Sequence, residues 1–225
     1  MRIAVTGDTH GDMYALLKIC EMLNLKEEDY IIVSGDFGLM FLREHFRYKL
    51  SFLNQIKCTV LWVDGNHENH DWIDNCEVST WCGGKVHHIT KNCIHLMRGQ
   101  VYTIGGETFF TMGGGDSIDK YVRIPGVSWW EREMPSWQEY NEALDNLAAH
   151  DNKVDYIITH VAPDNILYRI NPRFIQDNLS HFLYEIEKKI EFKHWYFGHY
   201  HEDRAIDDKH TVLFNSVEKI KWEEA

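Results

Sequence analysis

Residues 3–10 of the chain read IAVTGDTH, and residues 31–36 and 60–68 read IIVSGD and VLWVDGNHE. Each stretch begins with a short apolar run that is typical of a buried strand, and a glycine next to aspartate or asparagine follows it. Apolar residues at helical spacing separate these strands over residues 12–23 and 41–56. The alternation predicts a parallel sheet covered on both faces, and therefore the α/β class.

The rest of the chain changes to shorter strands with a few long helices. Strands are predicted at 86–89, 94–97, 101–104, 108–112, 154–158 and 194–197, with 211–214 as the final clear strand. Ser136 and Glu139 form a capping-box pattern that predicts a helix to about residue 149, and a second helix is predicted over 174–190. These elements predict a two-layered α/β core extended by antiparallel strands, in a single domain over residues 1–225.

Composition excludes several classes of protein. The 225 residues include 23 Lys and Arg against 35 Asp and Glu, for a formal charge of −12. This balance argues against a protein that follows nucleic-acid phosphates or binds an anionic membrane surface. No apolar run approaches the roughly 18 residues of a membrane span, and Gly7-Asp8 interrupts the N-terminus before a signal-peptide core could form. Five cysteines without a C-x-x-C spacing predict reduced thiols in a cytoplasmic protein.

Five predicted strands end in Asp, Asn or His, which are residue types that can bind metals. Two further strands, DYIITH (155–160) and WYFGHYH (195–201), end like the first three. Ligands of open α/β sheets bind beyond the carboxyl ends of the strands, so these side chains are expected to converge. The pairs Asp8/His10 and His199/His201 are spaced i, i+2, which places both side chains on the same side of an extended segment. The converging set comprises Asp8, His10, Asp36, Asn66, His67, His160, His199 and His201.

The chemistry of this set predicts a metal centre. A single histidine is more often a satisfied core or surface residue, but eight polar groups at strand ends are not explained one by one in that way. Imidazole and carboxylate ligands without thiolates suit Mn, Fe, Zn or Ni. Seven N and O ligands are too many for one tetrahedral ion and fit two, which then need a bridging carboxylate. Asp36, alone at the end of its strand, is the predicted bridge.

The same residues resemble the five ordered motifs of the calcineurin-like metallophosphoesterases. The motifs are Asp8-x-His10, Gly35-Asp36, Gly65-Asn66-His67-Glu68, His160 and Gly198-His199-x-His201. The resemblance implies a four-layer β-sandwich of mixed sheets flanked by helices, with two divalent metals. It implies that Asp8, His10, Asp36 and His201 bind the first metal and that Asp36, Asn66, His160 and His199 bind the second. His67 is implied to lie beside the leaving group, as a general acid or electrostatic stabiliser, and not to be a ligand.

The expected activity is hydrolysis of phosphate mono- or diesters of small molecules, nucleotides among them, by attack of a metal-bridging hydroxide. Two cations neutralise the phosphate, and the departing oxygen needs a proton or a positive charge, which His67 could supply. Manganese is the favoured metal, with Fe, Zn and Ni as alternatives. The expected partner is a small phosphate ester, with no membrane, with long nucleic acid disfavoured, and with the oligomeric state left open.

Departures from the family pattern leave alternatives open. Asp36-Phe37-Gly38 lacks the arginine of the protein-phosphatase branch, which disfavours that branch, while His67 stands where small phosphodiesterase relatives carry cysteine. A degenerate, non-catalytic scaffold and a nuclease that uses the same centre remain alternative functions. Glu68 or another carboxylate is a candidate to orient His67.

Three other features have both a functional and a structural interpretation. In the loop 113–135, Arg123 could clamp phosphate, and Trp129 and Trp130 could stack a flat group or pack the loop onto the body. A Cys/His-rich stretch over residues 76–95 could bind zinc, but its irregular spacing favours half-buried strand residues.

Overall fold

The computed structural model describes residues 1–41 and 45–222. The strands are Ile3–Thr6 (β1), Tyr30–Val33 (β2), Thr59–Trp62 (β3), Val78–Trp81 (β4), Gly84–Thr90 (β5), Cys93–Leu96 (β6), Gln100–Ile104 (β7), Glu107–Met112 (β8), Tyr156–Thr159 (β9), His194–Phe197 (β10), Arg204–Ala205 (β11), His210–Val212 (β12) and Val217–Lys221 (β13). The helices are Met13–Met22 (α1), Phe46–Leu53 (α2), His70–Asp74 (α3), Trp137–Ala149 (α4), Asp164–Ile170 (α5) and Asn178–Glu187 (α6).

The strands form two mixed sheets. The first has the order β13-β1-β2-β3-β6-β5-β4 and the second has the order β11-β12-β10-β9-β8-β7. Strands β1, β2, β3 and β6 are parallel neighbours in the first sheet, and β8, β9, β10 and β12 are parallel neighbours in the second. The predicted strands 101–104 and 108–112 are the antiparallel pair β7 and β8, joined by a turn at Gly105-Gly106.

Alternating side chains divide the core into three layers of apolar contacts. Ile31 and Val33 of β2 pack with helix α1, whereas Ile32 between them packs toward the second sheet. In β8, Phe109 joins the cluster between the sheets, and Phe110 joins the cluster under α4, α5 and α6. Because each sheet buries one face on helices and the other on its partner sheet, the molecule has four layers.

The four-layer sandwich implied by the family resemblance is therefore confirmed, and the two-layered core inferred from the residues is wrong. The strands after residue 84 do not only extend the first sheet. Strands β7 to β12 build a second sheet, which replaces helices on one face of the first. Apolar strand faces pack equally well on helices or on another sheet, so hydrophobicity alone did not distinguish the two arrangements.

Most predicted elements are present with shifted ends. The helix expected over 41–56 is observed at 46–53, and its positions 42–44 lie outside the described residues. The helix expected from residue 174 begins at Asn178, because the Asp177 carboxylate accepts a hydrogen bond from the Ser180 N–H (2.7 Å) and caps it there. Strand 211–214 is not the last, because β13 follows it and pairs antiparallel with β1. Within the described residues, no helix is long and apolar enough to cross a membrane.

Candidate metal centre

The eight predicted site residues all follow strands at one end of the two sheets. Residues after β1, β2 and β3 contribute the first five, in the segments 8–10, 36 and 66–67. Residues after β9 and β10 contribute His160, His199 and His201. The predicted convergence is observed, since distances between side chains from the two sheets are 2.9–3.8 Å.

A first group of donors joins Asp8, His10 and His201. Nε2 of His10 lies 2.9 Å from Nε2 of His201, and these atoms lie 3.8 and 3.6 Å from Oδ2 of Asp8. The three donor atoms lie within 4.8 Å of one another, close enough to hold one ion. The His201 side chain is 52% exposed, so this side of the centre is open to solvent.

A second group surrounds the buried ring of His160. Its Nδ1 lies 3.1 Å from the carbonyl oxygen of Ser34. Because a carbonyl can only accept a hydrogen bond, the Nδ1 atom carries the proton and the Nε2 lone pair is free for a metal. That Nε2 lies 3.2 Å from Oδ1 of Asn66 and 3.1 Å from Nδ1 of His199.

Asp36 lies between the two groups. Its Oδ2 is 3.8 Å from Nδ1 of His10, and its Oδ1 is 3.4 Å from Nε2 of His160. The backbone N–H of His67 donates to the same Oδ1 (2.7 Å) and fixes the orientation of the carboxylate. Asp8 also approaches both groups, with Oδ1 3.8 Å from Nδ1 of His160. Each oxygen of Asp36 thus faces a different set of donors, as a bridging ligand requires.

Backbone strain aims several of these side chains. His10, Asp36, His199 and His201 have positive φ angles of 46°, 43°, 68° and 52°. Non-glycine residues rarely adopt this left-handed region, and such strain concentrates at functional sites. The expected reason for the convergence of the i, i+2 pairs is therefore wrong, because their segments are not extended.

Close packing around the two carboxylates requires glycine nearby. A Cβ at Gly65 would collide with the carboxylate of Asp36, and a Cβ at Gly198 would collide with that of Asp8.

The electrostatics of the centre suit cations. Burial lowers the pKa of His10 to about 4 and that of His199 to about 3, so both rings are neutral and keep lone pairs at neutral pH. Burial, and then the charge of Asp36, raise the pKa of Asp8. Burial opposes ionisation of Asp36 as well, but the neighbouring His160 and the His67 N–H keep its pKa below the ordinary value. In the parts of the chain that the structure describes, no Lys or Arg pairs with either carboxylate.

His67 lies beside the donors with a different set of contacts. Phe41 stacks on its ring, with centroids 4.9 Å apart and an angle of 16° between the planes. Nη2 of Arg123 lies 2.8 Å from its Nε2. A guanidinium only donates, so Nε2 accepts in this arrangement. Asp119 holds Arg123 in turn, through a 2.7 Å contact to Nε.

The suggestion that Glu68 orients His67 is wrong. Both carboxylate oxygens of Glu68 accept from the backbone N–H of Gly38 at 3.1 Å, and the side chain is buried. Burial, and then the charge of Asp36, raise the pKa of Glu68. Its contact ties the β2 loop to the β3 loop, so its place in the structure is to support the centre.

Sequence reasoning missed Ser117. Nδ2 of Asn66 donates to Oγ of Ser117 (3.1 Å), which turns Oδ1 of the amide toward His160. The backbone N–H of Ser117 donates to the buried Glu133 (3.2 Å). The sequence contained a signal for Ser117. Strand β8 ends just before Gly113-Gly114-Gly115, at the same sheet edge as β9, so the residues that follow β8 lie at the edge that carries the centre.

The remaining sequence features take structural roles. Trp130 is 5% exposed and packs against Phe41 and His70, so it anchors the loop to the body. In the Cys/His-rich stretch, Nδ1 of His87 lies 3.1 Å from Nδ1 of His95, which lies beside Asp64. None of the potential metal-binding groups among the described residues includes this stretch, and its cysteines are free thiols.

Comparison with known proteins identifies a family and finds similar solved structures. A family model described as calcineurin-like phosphoesterase matches residues 1–203. No curated protein matches the sequence significantly. Among solved structures, the chain is similar to the sulfate thiohydrolase SoxB of Thermus thermophilus, in complex with glycerol, at 15% identity and a TM-score of 0.43. That match covers 93% of this chain but only 38% of the other, so this chain spans well under half the length of that protein.

Proposed function

Because the chain belongs to the calcineurin-like phosphoesterase family, we propose that it hydrolyses phosphate mono- or diesters of small molecules at a centre of two divalent metals. Asp8, His10, Asp36 and His201 would hold the first ion, and Asp36, Asn66, His160 and His199 the second. The observation that carries this proposal is the placement of Asp36, whose two oxygens face His10 and His160 at 3.8 and 3.4 Å.

The donor set fits two divalent ions. It offers two carboxylates, one amide oxygen and four imidazoles without a thiolate, a combination that suits Mn, Fe, Zn or Ni. The close approach of ring nitrogens in the pairs His10/His201 and His160/His199 also favours a cation between neutral rings. Manganese is the metal that we propose. When bound, two such ions neutralise the phosphate, orient the ester and lower the pKa of water toward neutrality.

The side chains around the donors provide the other half of the reaction. His67 and Arg123 lie together at one flank of the centre, 2.8 Å apart. The guanidinium keeps a permanent positive charge where negative charge develops on the departing oxygen. Once substrate displaces Arg123, Nε2 of His67 can take up a proton from solvent and pass it to that oxygen. Ser117 keeps Oδ1 of Asn66 pointing into the centre.

The free thiols also bear on the cellular compartment in which the protein acts. All five cysteines are unpaired in the structure, which agrees with a reducing compartment. We propose that the protein acts in the cytoplasm.

Initial rates on p-nitrophenyl phosphate and bis-p-nitrophenyl phosphate with added manganese test this function. Release from either substrate, lost in the Asp36→Asn variant, is the expected result. Faster release from the diester would identify a phosphodiesterase, and faster release from the monoester a phosphatase. No release from either substrate with several divalent metals would favour the alternative of a non-catalytic scaffold.

A further inference from the structure

A cleft of about 640 Å³ leads away from the metal centre. Asp36, Asn66 and His199 line its inner end. Its volume lies in the range of pockets that enclose a whole small molecule. The cleft therefore has room for the alcohol part of an ester as well as for its phosphate.

Large apolar side chains line the cleft beyond the metal centre. Ile118, Tyr121 and Ile175 are among them and are 89%, 88% and 86% exposed. The buried side chains of Val161 and Leu167 also line the cleft. Large apolar side chains grouped on one concave surface next to a reaction centre indicate a binding surface.

Charged groups along the cleft already have partners within the protein. Nζ of Lys120 lies 2.8 Å from Asp116, and Nε of Arg123 lies 2.7 Å from Asp119. Asp177 caps helix α6. Beyond the metal centre, the described lining thus offers no unpaired cation for a second phosphate group.

We propose that this cleft binds the alcohol part of the substrate and that this part is a large apolar group, aryl or alkyl, and not a polyphosphate or a nucleic-acid chain. The inference rests on the proposed function, since the cleft is continuous with the metal centre. It adds the chemical class of the ester to that function.

Initial rates on a series from 4-methylphenyl to 4-hexylphenyl phosphate test the proposal. The leaving phenols differ little in acidity, so differences in kcat/KM report binding of the alkyl chain. Full burial of a methylene corresponds to about a fourfold gain. We expect kcat/KM to rise by at least about tenfold over the series in the wild-type protein.

Matched variants locate the effect. The double variant Ile118→Ser/Ile175→Ser replaces two of the apolar residues that line the cleft and should flatten the rise in kcat/KM. Val122→Ser is the control, because Val122 is 84% exposed on the same loop but does not line the cleft. All three positions are exposed, so the substitutions should leave folding intact.

If the wild-type protein hydrolyses all esters of the series with the same kcat/KM, the proposal that the cleft binds an apolar group is refuted. The proposed function would then still stand. A larger gain from a second phosphate or from a trimethylammonium group would overturn it as well. If no ester is hydrolysed, the proposed function fails, and calorimetric titration with 4-alkylbenzylphosphonates still decides the cleft. Affinity that rises with chain length supports the cleft, and affinity independent of chain length refutes it.

Discussion

Removal of the charge of Asp36 should empty both metal sites. The carboxylate is buried, and each of its oxygens faces a different histidine. Asp36→Asn keeps the shape of the side chain, but one of only two negative charges in the donor set is lost. Metal–carboxylate distances are about 2.1 Å, so half a negative charge on the contacting oxygen attracts a divalent ion by about 8 kcal/mol at an effective dielectric of about 20. Half of this value would weaken each site by about three orders of magnitude.

Elemental analysis of the protein after gel filtration measures the effect directly. The wild-type protein should carry about two metal ions per chain, and Asp36→Asn should carry almost none and have no turnover. His201→Ala and Asn66→Ala each remove a ligand of one ion only, so both should retain about one. Asp29→Asn is the control for a buried carboxylate elsewhere, since Asp29 accepts from Arg2 away from the centre. Its metal content should not change.

Two outcomes would refute this reasoning. An Asp36→Asn variant that keeps both metals and most of its activity would show that Asp36 is not a ligand. Loss of one ion only would show that Asp36 serves a single site. In the second case Asp8, which also approaches His160, would become the candidate bridge.

Three further predictions concern residues around the centre. His67→Ala should keep its metals but slow turnover, most for poor leaving groups, and unchanged rates on alkyl phosphates would count against the role as an acid. Ser117→Ala should weaken metal binding at the site of Asn66 by about tenfold, because the amide loses the hydroxyl that orients it. Ser117→Thr keeps the hydroxyl and should bind metal like the wild-type protein. Equal metal affinities of the two variants in a titration would contradict this prediction. Burial lowers the pKa of His70 to about 4, so its contribution to stability is present above pH 6.5 and is lost as the pH falls toward 4. Between pH 8 and pH 5 the free energy of unfolding should fall by roughly 2 kcal/mol on account of His70. The His70→Gln variant should not show this part of the fall. Urea midpoints that decrease equally in the variant and the wild-type protein would argue against the role of His70.

The sequence located the centre because its residues follow a simple rule. Parallel strands end at one edge of a sheet, so each strand followed by Asp, Asn or His marks a position there. The pairing of Arg123 with His67 did not follow such a rule. Residues 113–135 contain only two short 3-10 turns in the structure, so no periodicity predicted which side chains of this loop return to the centre.

Two features of the fold could not be predicted from the sequence for other physical reasons. Strand β13 reads VEKIK and none of its residues is fully buried, so it lacks the apolar run of the other strands. It is held by pairing with β1 at the edge of the sheet. The left-handed backbone at His10 and Asp36 also leaves no mark in composition, because only tertiary contacts compensate for its strain.

The division of the predicted ligands between the two sheets has a consequence for assembly in the cell. His10 and His201 face each other across 191 positions of sequence, and His160, His199 and His201 are synthesised after six of the seven strands of the first sheet. A nascent chain that ends before these histidines lacks one predicted ligand of the first site and two of the second. Metal capture must therefore follow the slow, long-range step of folding. Because affinities among first-row metals follow a fixed chemical order, the ion that occupies the protein is decided by the metals available where the chain finishes folding.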